Sequence, residues 1–136
     1  MTDFVSDVQK IPYDASRVFT KLSDLKNLEK VQDLIPNGEI KDFVCDSDSC
    51  SFQAEKLGKI ALRIIERDPA KTIKLVSEQS PVPFTCWIQL VEESSNDTRL
   101  RLTFRADIPF MFKGMVSKPI EKGIRKLAEV LASLPY

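Results

Sequence analysis

Between Glu39 and Ile108 apolar residues recur at every second position, and turn-forming clusters break the pattern about every ten residues: "DSDS", "EKLGK", "DPAK", "QSPVP" and "SSNDT". A period of two excludes helix over this stretch and predicts six strands joined as hairpins. The alternation also sorts the faces. Ile60, Leu62 and Ile64 share one side with Glu66, while Ala61, Arg63, Ile65 and Arg67 share the other; Ile73, Leu75 and Ser77 oppose Lys74, Val76 and Glu78. Phe84, Cys86, Ile88 and Leu90 form one face, as do Leu100, Leu102, Phe104 and Ala106, with Arg99, Arg101, Thr103 and Arg105 turned away.

Residues directly opposite each other in a hairpin point the same way, so register tests this sorting. With "DPAK" as the loop, Arg67 is expected opposite Thr72, Glu66 opposite Ile73 and Ile64 opposite Leu75. A loop from Ser94 to Thr98 sets Phe104 opposite Ile88. In both hairpins the apolar faces coincide, which predicts one antiparallel sheet with one apolar and one wet face.

The remaining elements are helical, apart from a first strand expected at residues 4–11, "FVSDVQKI". Asp14 can cap a helix carrying Val18, Phe19 and Leu22, and Ser23 or Asp24 a second carrying Leu25, Leu28 and Val31, with Pro36 and Gly38 as the stop. Near the C-terminus Val116, Ile120, Ile124, Leu127, Leu131 and Leu134 recur at three- and four-residue spacing, an apolar stripe ended by Pro135. Pro119 withholds the backbone donor that would reach Met115, and Gly123 is expected to let the helix approach the sheet. The order β-α-α-β6-α then describes an α+β fold, a strongly curved seven-stranded antiparallel sheet around a long C-terminal helix.

The length of 136 residues, 43% of them hydrophobic, suits a single domain over 1–136 with its own core. Lys plus Arg and Asp plus Glu number 20 each, so no global positive field gathers nucleic acid. Lys113, Lys118, Lys122, Arg125 and Lys126 outweigh Glu121 and Glu129, whereas Glu39, Asp42, Asp46, Asp48 and Glu55 outweigh Lys41; both stretches read as solvated faces. The start, "MTDFVSDVQK", lacks the pattern of a signal peptide, and no apolar run has the length of a membrane span, which leads us to expect a cytoplasmic protein.

The absence of His removes the usual general base, the usual zinc ligand and the Ser-His and Cys-His nucleophile pairs. Cys45 and Cys50 flank "DSDS" and are expected opposite each other, where a cross-strand disulfide is geometrically conceivable and two packed thiols are the favoured reading. Neither they nor Cys86, on another strand, supply a metal set, and "DSDSC" lacks the sixth-position Gly and twelfth-position Glu of a calcium loop. No metal and no cofactor is expected.

The order of elements, with "KIPYDASRVFTKLSDLKNL" at 10–28 and "DTRLRLTFRADIPFMFKGMVSKPIEKGIRKLAEVL" at 97–131, resembles the START-like helix-grip superfamily, whose bacterial members are called SRPBCC or polyketide cyclase-like proteins. The resemblance spans nearly the whole chain and carries no catalytic signature. It implies a hydrophobic tunnel between sheet and C-terminal helix, used by various relatives to carry lipids, quinones, polyketides or hormones and by fewer to act on them. Some members are co-chaperone domains that use the surface of the fold.

A curved sheet cannot press its whole inner face on one straight helix, so a gap is expected at one helix end unless large side chains fill it. Phe110, Met111, Phe112 and Met115 begin the helix and read as core plug or pocket wall, Met adapting to irregular contours. The candidate ligand-binding residues are Phe43, Phe52, Leu62, Ile64, Leu75, Ile88, Phe104, Phe110, Met111, Met115 and Ile120. No residue is assigned as catalytic; the weak candidates are Glu66, a carboxylate that the register sets on the apolar face and that could act as a general acid or base but near a strand end more often just reaches water, and Ser77.

Three functions fit. The first is binding or transport of a small hydrophobic molecule in an enclosed apolar pocket of several hundred Å3. The second is an enzyme of the cyclase or dehydratase kind. The third is a protein-interaction module docking through Trp87, which alternation places on the outer face, or through the basic helix face. A non-catalytic binder is the expectation, with a small hydrophobic partner, no nucleic acid, no integral membrane segment and room for a protein partner.

Overall fold

The computed structural model describes residues 1–34, 40–55 and 57–136. The strands are β1 (Thr2–Val5), β2 (Gln9–Ile11), β3 (Ile40–Cys45), β4 (Ser49–Ala54), β5 (Gly58–Asp68), β6 (Thr72–Gln79), β7 (Phe84–Ser94) and β8 (Asp97–Ala106). Helix α1 (Ala15–Leu22) and a 3-10 segment (Leu25–Leu34) separate β2 from β3. A 3-10 turn (Phe110–Phe112) leads from β8 into the long helix α2 (Lys113–Ser133). The stop expected at Pro36 and Gly38 lies outside the described residues.

All strands join one curved antiparallel sheet in the order β1-β8-β7-β6-β5-β4-β3, with β2 also on β8. Among the described residues eight strands stand where seven were expected, because residues 4–11 do not form one strand. Thr2–Val5 pairs with Ala106–Thr103 and Gln9–Ile11 with Leu100–Thr98, one residue out of step. Ser6 bridges the break: its N–H donates to the Leu102 carbonyl and its Oγ accepts from the Leu102 N–H, both at 2.9 Å. A side-chain oxygen thus replaces the missing backbone acceptor, and the buried amide stays satisfied.

Asp14 caps α1 as expected, its carboxylate accepting from Arg17 N at 3.0 Å. The second expected α-helix is instead 3-10; Ser23 closes α1, and Asp24 accepts from the N–H of Lys26 through its side chain and from that of Asn27 through its carbonyl. Val18, Leu22, Leu25, Leu28 and Val31 are all buried. The helices are held to the sheet by long-range bonds: Ala15 N–H to Glu92 Oε1 at 3.0 Å and Leu25 N–H to the Ser47 carbonyl at 3.1 Å.

Helix α2 packs on β1, β2 and β8, and its far end meets α1, where Lys21 Nζ donates to the Pro135 carbonyl and the Tyr13 and Tyr136 rings meet edge to face. It continues through Pro119. Gly123 is exposed and a Cβ there would meet open space, so it does not provide the close approach expected of it. No helix among the described residues is long and apolar enough to cross a membrane.

Candidate functional site

The sheet's concave side is built from rows of side chains whose cover changes along the strands. Leu102, Ile88 and Ile73 form one row and Leu100 and Leu90 another, all buried. The next row runs Phe4, Phe104, Cys86, Leu75 and Ile64; the last two are buried and the first three only half-buried. Beyond it, Ser77 and Leu62 are half-buried between Phe84 and Cys50, and Phe43 and Phe52 complete the open end, their rings 5.6 Å apart.

The helix explains the gradient. Its buried residues are Ile120, Ile124, Ala128, Val130 and Leu131, and none falls in the stretch Lys113–Pro119. The helix is therefore buried on the sheet toward its C-terminus, whereas toward its N-terminus only Val116, half-buried, packs against the core. What results is a half-buried apolar stretch of the concave face, Phe4, Phe43, Phe52, Leu62, Cys86 and Phe104. Two open depressions of about 580 and 630 Å3 lie elsewhere, one lined by Arg17, Lys21 and Tyr136, the other by Lys71, Gln89 and Arg101.

Of the residues proposed from sequence, Phe43, Phe52, Leu62 and Phe104 are half-buried on the concave face, and Ile64, Leu75, Ile88 and Ile120 are buried core. Phe104 faces Cys86 and not Ile88, which faces Leu102: the β7–β8 turn is tighter than expected, with Ser94 opposite Asp97, and the register moves by an even step that keeps the faces unchanged. The Phe104 ring stacks on Phe84 at 4.7 Å and tilts against Phe4 at 6.2 Å.

Phe110, Met111 and Met115 are neither plug nor wall. They are 88%, 86% and 70% exposed, and Phe112 is 47% exposed. The physical reason is that the core-facing stripe of α2 begins only at Val116 and Ile120, beyond them.

Glu66 is a second correction. A bulge at Ile65 places Arg67 opposite Ile73 and Glu66 opposite Lys74, so the carboxylate is exposed on the convex side. Arg67 takes the concave-side position and ties the end of α1 to the β3–β4 turn: its guanidinium donates to the Ser23 carbonyl at 2.9 Å and to Asp48 Oδ1 at 2.7 Å. Ser77 stays on the concave side facing Leu62, where its Oγ accepts from Phe84 N–H at 3.0 Å and its own proton can be donated. The polar pair nominated for acid-base chemistry is therefore split across the sheet.

Cys45 and Cys50 sit directly opposite each other and are joined as a disulfide, where packed thiols were expected. Cys86 is free; burial of its thiol beneath a half-covered residue pushes its pKa up to about 12, so it remains a protonated, weakly polar piece of the concave face. Among the described residues no cluster of His, Cys, Asp or Glu is arranged to hold a metal ion. Trp87 faces outward as expected, half-buried between Lys74 Nζ at 5.7 Å and the Arg105 guanidinium at 5.3 Å from its ring.

No protein-family model matches the chain, and no curated protein matches it in sequence. Solved structures do match its fold. A truncated norcoclaurine synthase from Thalictrum flavum superposes with a TM-score of 0.75 at 14% identity, over 96% of this chain and 92% of that one. A START superfamily protein from Mycobacterium smegmatis gives 0.65 at 15% identity, over 96% and 94%. XoxI from Bacillus cereus gives 0.64 at 12% identity, over 97% and 94%. The chain has the START-like helix-grip fold.

Proposed function

We propose that this chain, acting as a single START-like domain, binds or carries a small hydrophobic molecule in the groove between the concave sheet and the first half of α2. One observation carries the reading: Phe4, Phe43, Phe52, Leu62, Cys86 and Phe104 lie on the face that forms the core, yet are only half-buried, while their neighbours one row away are fully covered. Apolar surface left wet on a concave wall gains by covering, at about 25 cal/mol per Å2. Ser77 offers one hydroxyl proton to orient a polar end of the guest. The fold is compatible with such use, since a norcoclaurine synthase of this fold has been solved with dopamine and hydroxybenzaldehyde.

The enzyme reading has lost its general acid or base with the outward turn of Glu66. The interaction reading through Trp87 is weakened by the two cations that flank the ring.

Native mass spectrometry of freshly purified protein tests the proposal, with titration of an environment-sensitive apolar fluorophore as the second arm. Bound apolar cargo, or saturable probe binding that Leu62→Trp blocks and Trp87→Phe leaves intact, is the expected result. Absence of both cargo and saturable binding would refute it.

A further inference from the structure

We propose that the start of α2 is a membrane-docking tip, in which Phe110, Met111, Phe112 and Met115 enter the interface of an anionic bilayer while Lys113 and Lys118 meet its headgroups. The other strongly exposed large apolar residues, such as Val5, Val8, Val44, Ile65 and Val91, are aliphatic and scattered over separate strands and loops. Here two Phe and two Met cluster in one turn and the helix start that follows it. Met1, 87% exposed, is placed at the same end by the pairing of Thr2 with Ala106.

The tip is held out by its anchors. Ile108 is buried on one side and Ile120 on the other, and between them Pro109 opens a 3-10 turn closed by Phe112 N–H on the Pro109 carbonyl at 2.9 Å. The exposed side chains therefore project from an ordered corner whose flanks are fixed in the core.

Charge and shape select the occupant. Lys113 and Lys118 are exposed beside the apolar cluster, with Lys122 one turn further on. Of the nearby carboxylates, Asp107 precedes the tip, and Glu121 is already 3.6 Å from Arg125. Aromatic and Met side chains ringed by lysines are the composition of an interfacial anchor, where the apolar tips sit below the headgroups and the ammonium groups among them. A stable protein partner would need a face of roughly 800 Å2 per side, more than a four-residue convex corner offers. This inference stands on the tip alone and does not require the groove to hold a guest.

Flotation of the full chain with phosphatidylcholine vesicles, with and without phosphatidylglycerol, tests it. The chain should float with the anionic vesicles and lose binding as salt is raised. Phe110→Ser and Met111→Ser should each weaken partitioning by about tenfold, and Lys113→Glu by about fivefold or more on anionic vesicles only. Because these side chains are solvent-exposed, the variants should melt as the parent does. Failure of the parent to float, or Ser variants that float equally well, would overturn the proposal. So would a lipid-free dimer that Phe110→Ser converts to monomer, since it would assign the tip to a second copy of the chain. Probe binding in the groove, measured on the same variants without lipid, keeps failure of the tip distinct from failure of the groove.

Discussion

Replacing Ser77 by Ala should weaken the fold through an amide seven residues away. The ladder between β6 and β7 ends at the pair Val76 and Thr85, and the next amide beyond it, Phe84 N–H, donates to the Ser77 hydroxyl at 3.0 Å. Phe84 is 8% exposed, so water replaces that acceptor poorly. An orphaned buried donor costs about 1–3 kcal/mol, and the half-covered position of Ser77 argues for the lower part, about 1–2 kcal/mol. With an unfolding entropy of about 2.1 cal/mol/K per residue, that corresponds to a fall of about 4–7 °C in Tm. Ser77→Thr keeps the oxygen and suits a strand, so it should stay within about 0.5 kcal/mol of the parent. Denaturant melts give the free energy, and hydrogen exchange gives the site, with Phe84 losing protection before its neighbours in Ser77→Ala. The reasoning fails if Ser77→Ala unfolds like the parent and the Phe84 amide exchanges no faster, for then another acceptor serves it.

Three further outcomes concern Gly123, Asp46 and Cys86. Gly123→Ala should stabilise the protein by about 0.5–1 kcal/mol in denaturant melts, because the position is helical, exposed and free of neighbours to meet. Hydrogen bonds from the backbone N–H groups of Asp48 and Ser49 hold the Asp46 carboxyl below its ordinary value of 3.8, so its contribution is present above that pH and lost as pH falls through the lowered value. Asp46→Asn should therefore flatten the decline of Tm on the acid side of about pH 4. Cys86, with its thiol pushed up to about 12, should react with iodoacetamide at pH 8 far more slowly than a free thiol, and unfolding in urea should restore the ordinary rate.

The alternation of "IALRI", "TIKL", "FTCWIQL" and "LRLTFRA" carried the sheet, its faces and its order, and the stripe from Ile120 to Leu131 carried the helix that covers it. Those signals are legible because burial imposes a period. What escaped is aperiodic. The extra residue at Ile65 that turns Glu66 outward, and the break at Ser6, leave no trace in local composition, since Ile and Ser are ordinary strand residues. Asp42, at φ 54 in the β3 bulge, is the one irregularity with a chemical hint, Asp being among the residues that tolerate that conformation. That Phe43, Phe52, Leu62 and Phe104 share the concave face was legible because they obey the alternation. The exposure of Phe110, Met111 and Met115 was not, because sequence hydrophobicity is read as burial, and here the core-facing stripe of the helix begins only at Val116.

Trp87 lies on the convex side between Lys74 and Arg105, and it is the only tryptophan in the chain. Its emission will accordingly report the loss of those two cations when the sheet comes apart, while remaining blind to whatever enters on the opposite side. Intrinsic fluorescence is then a clean gauge of unfolding for this protein and a poor one for occupancy, so a flat optical titration with a candidate guest says nothing about whether the guest bound.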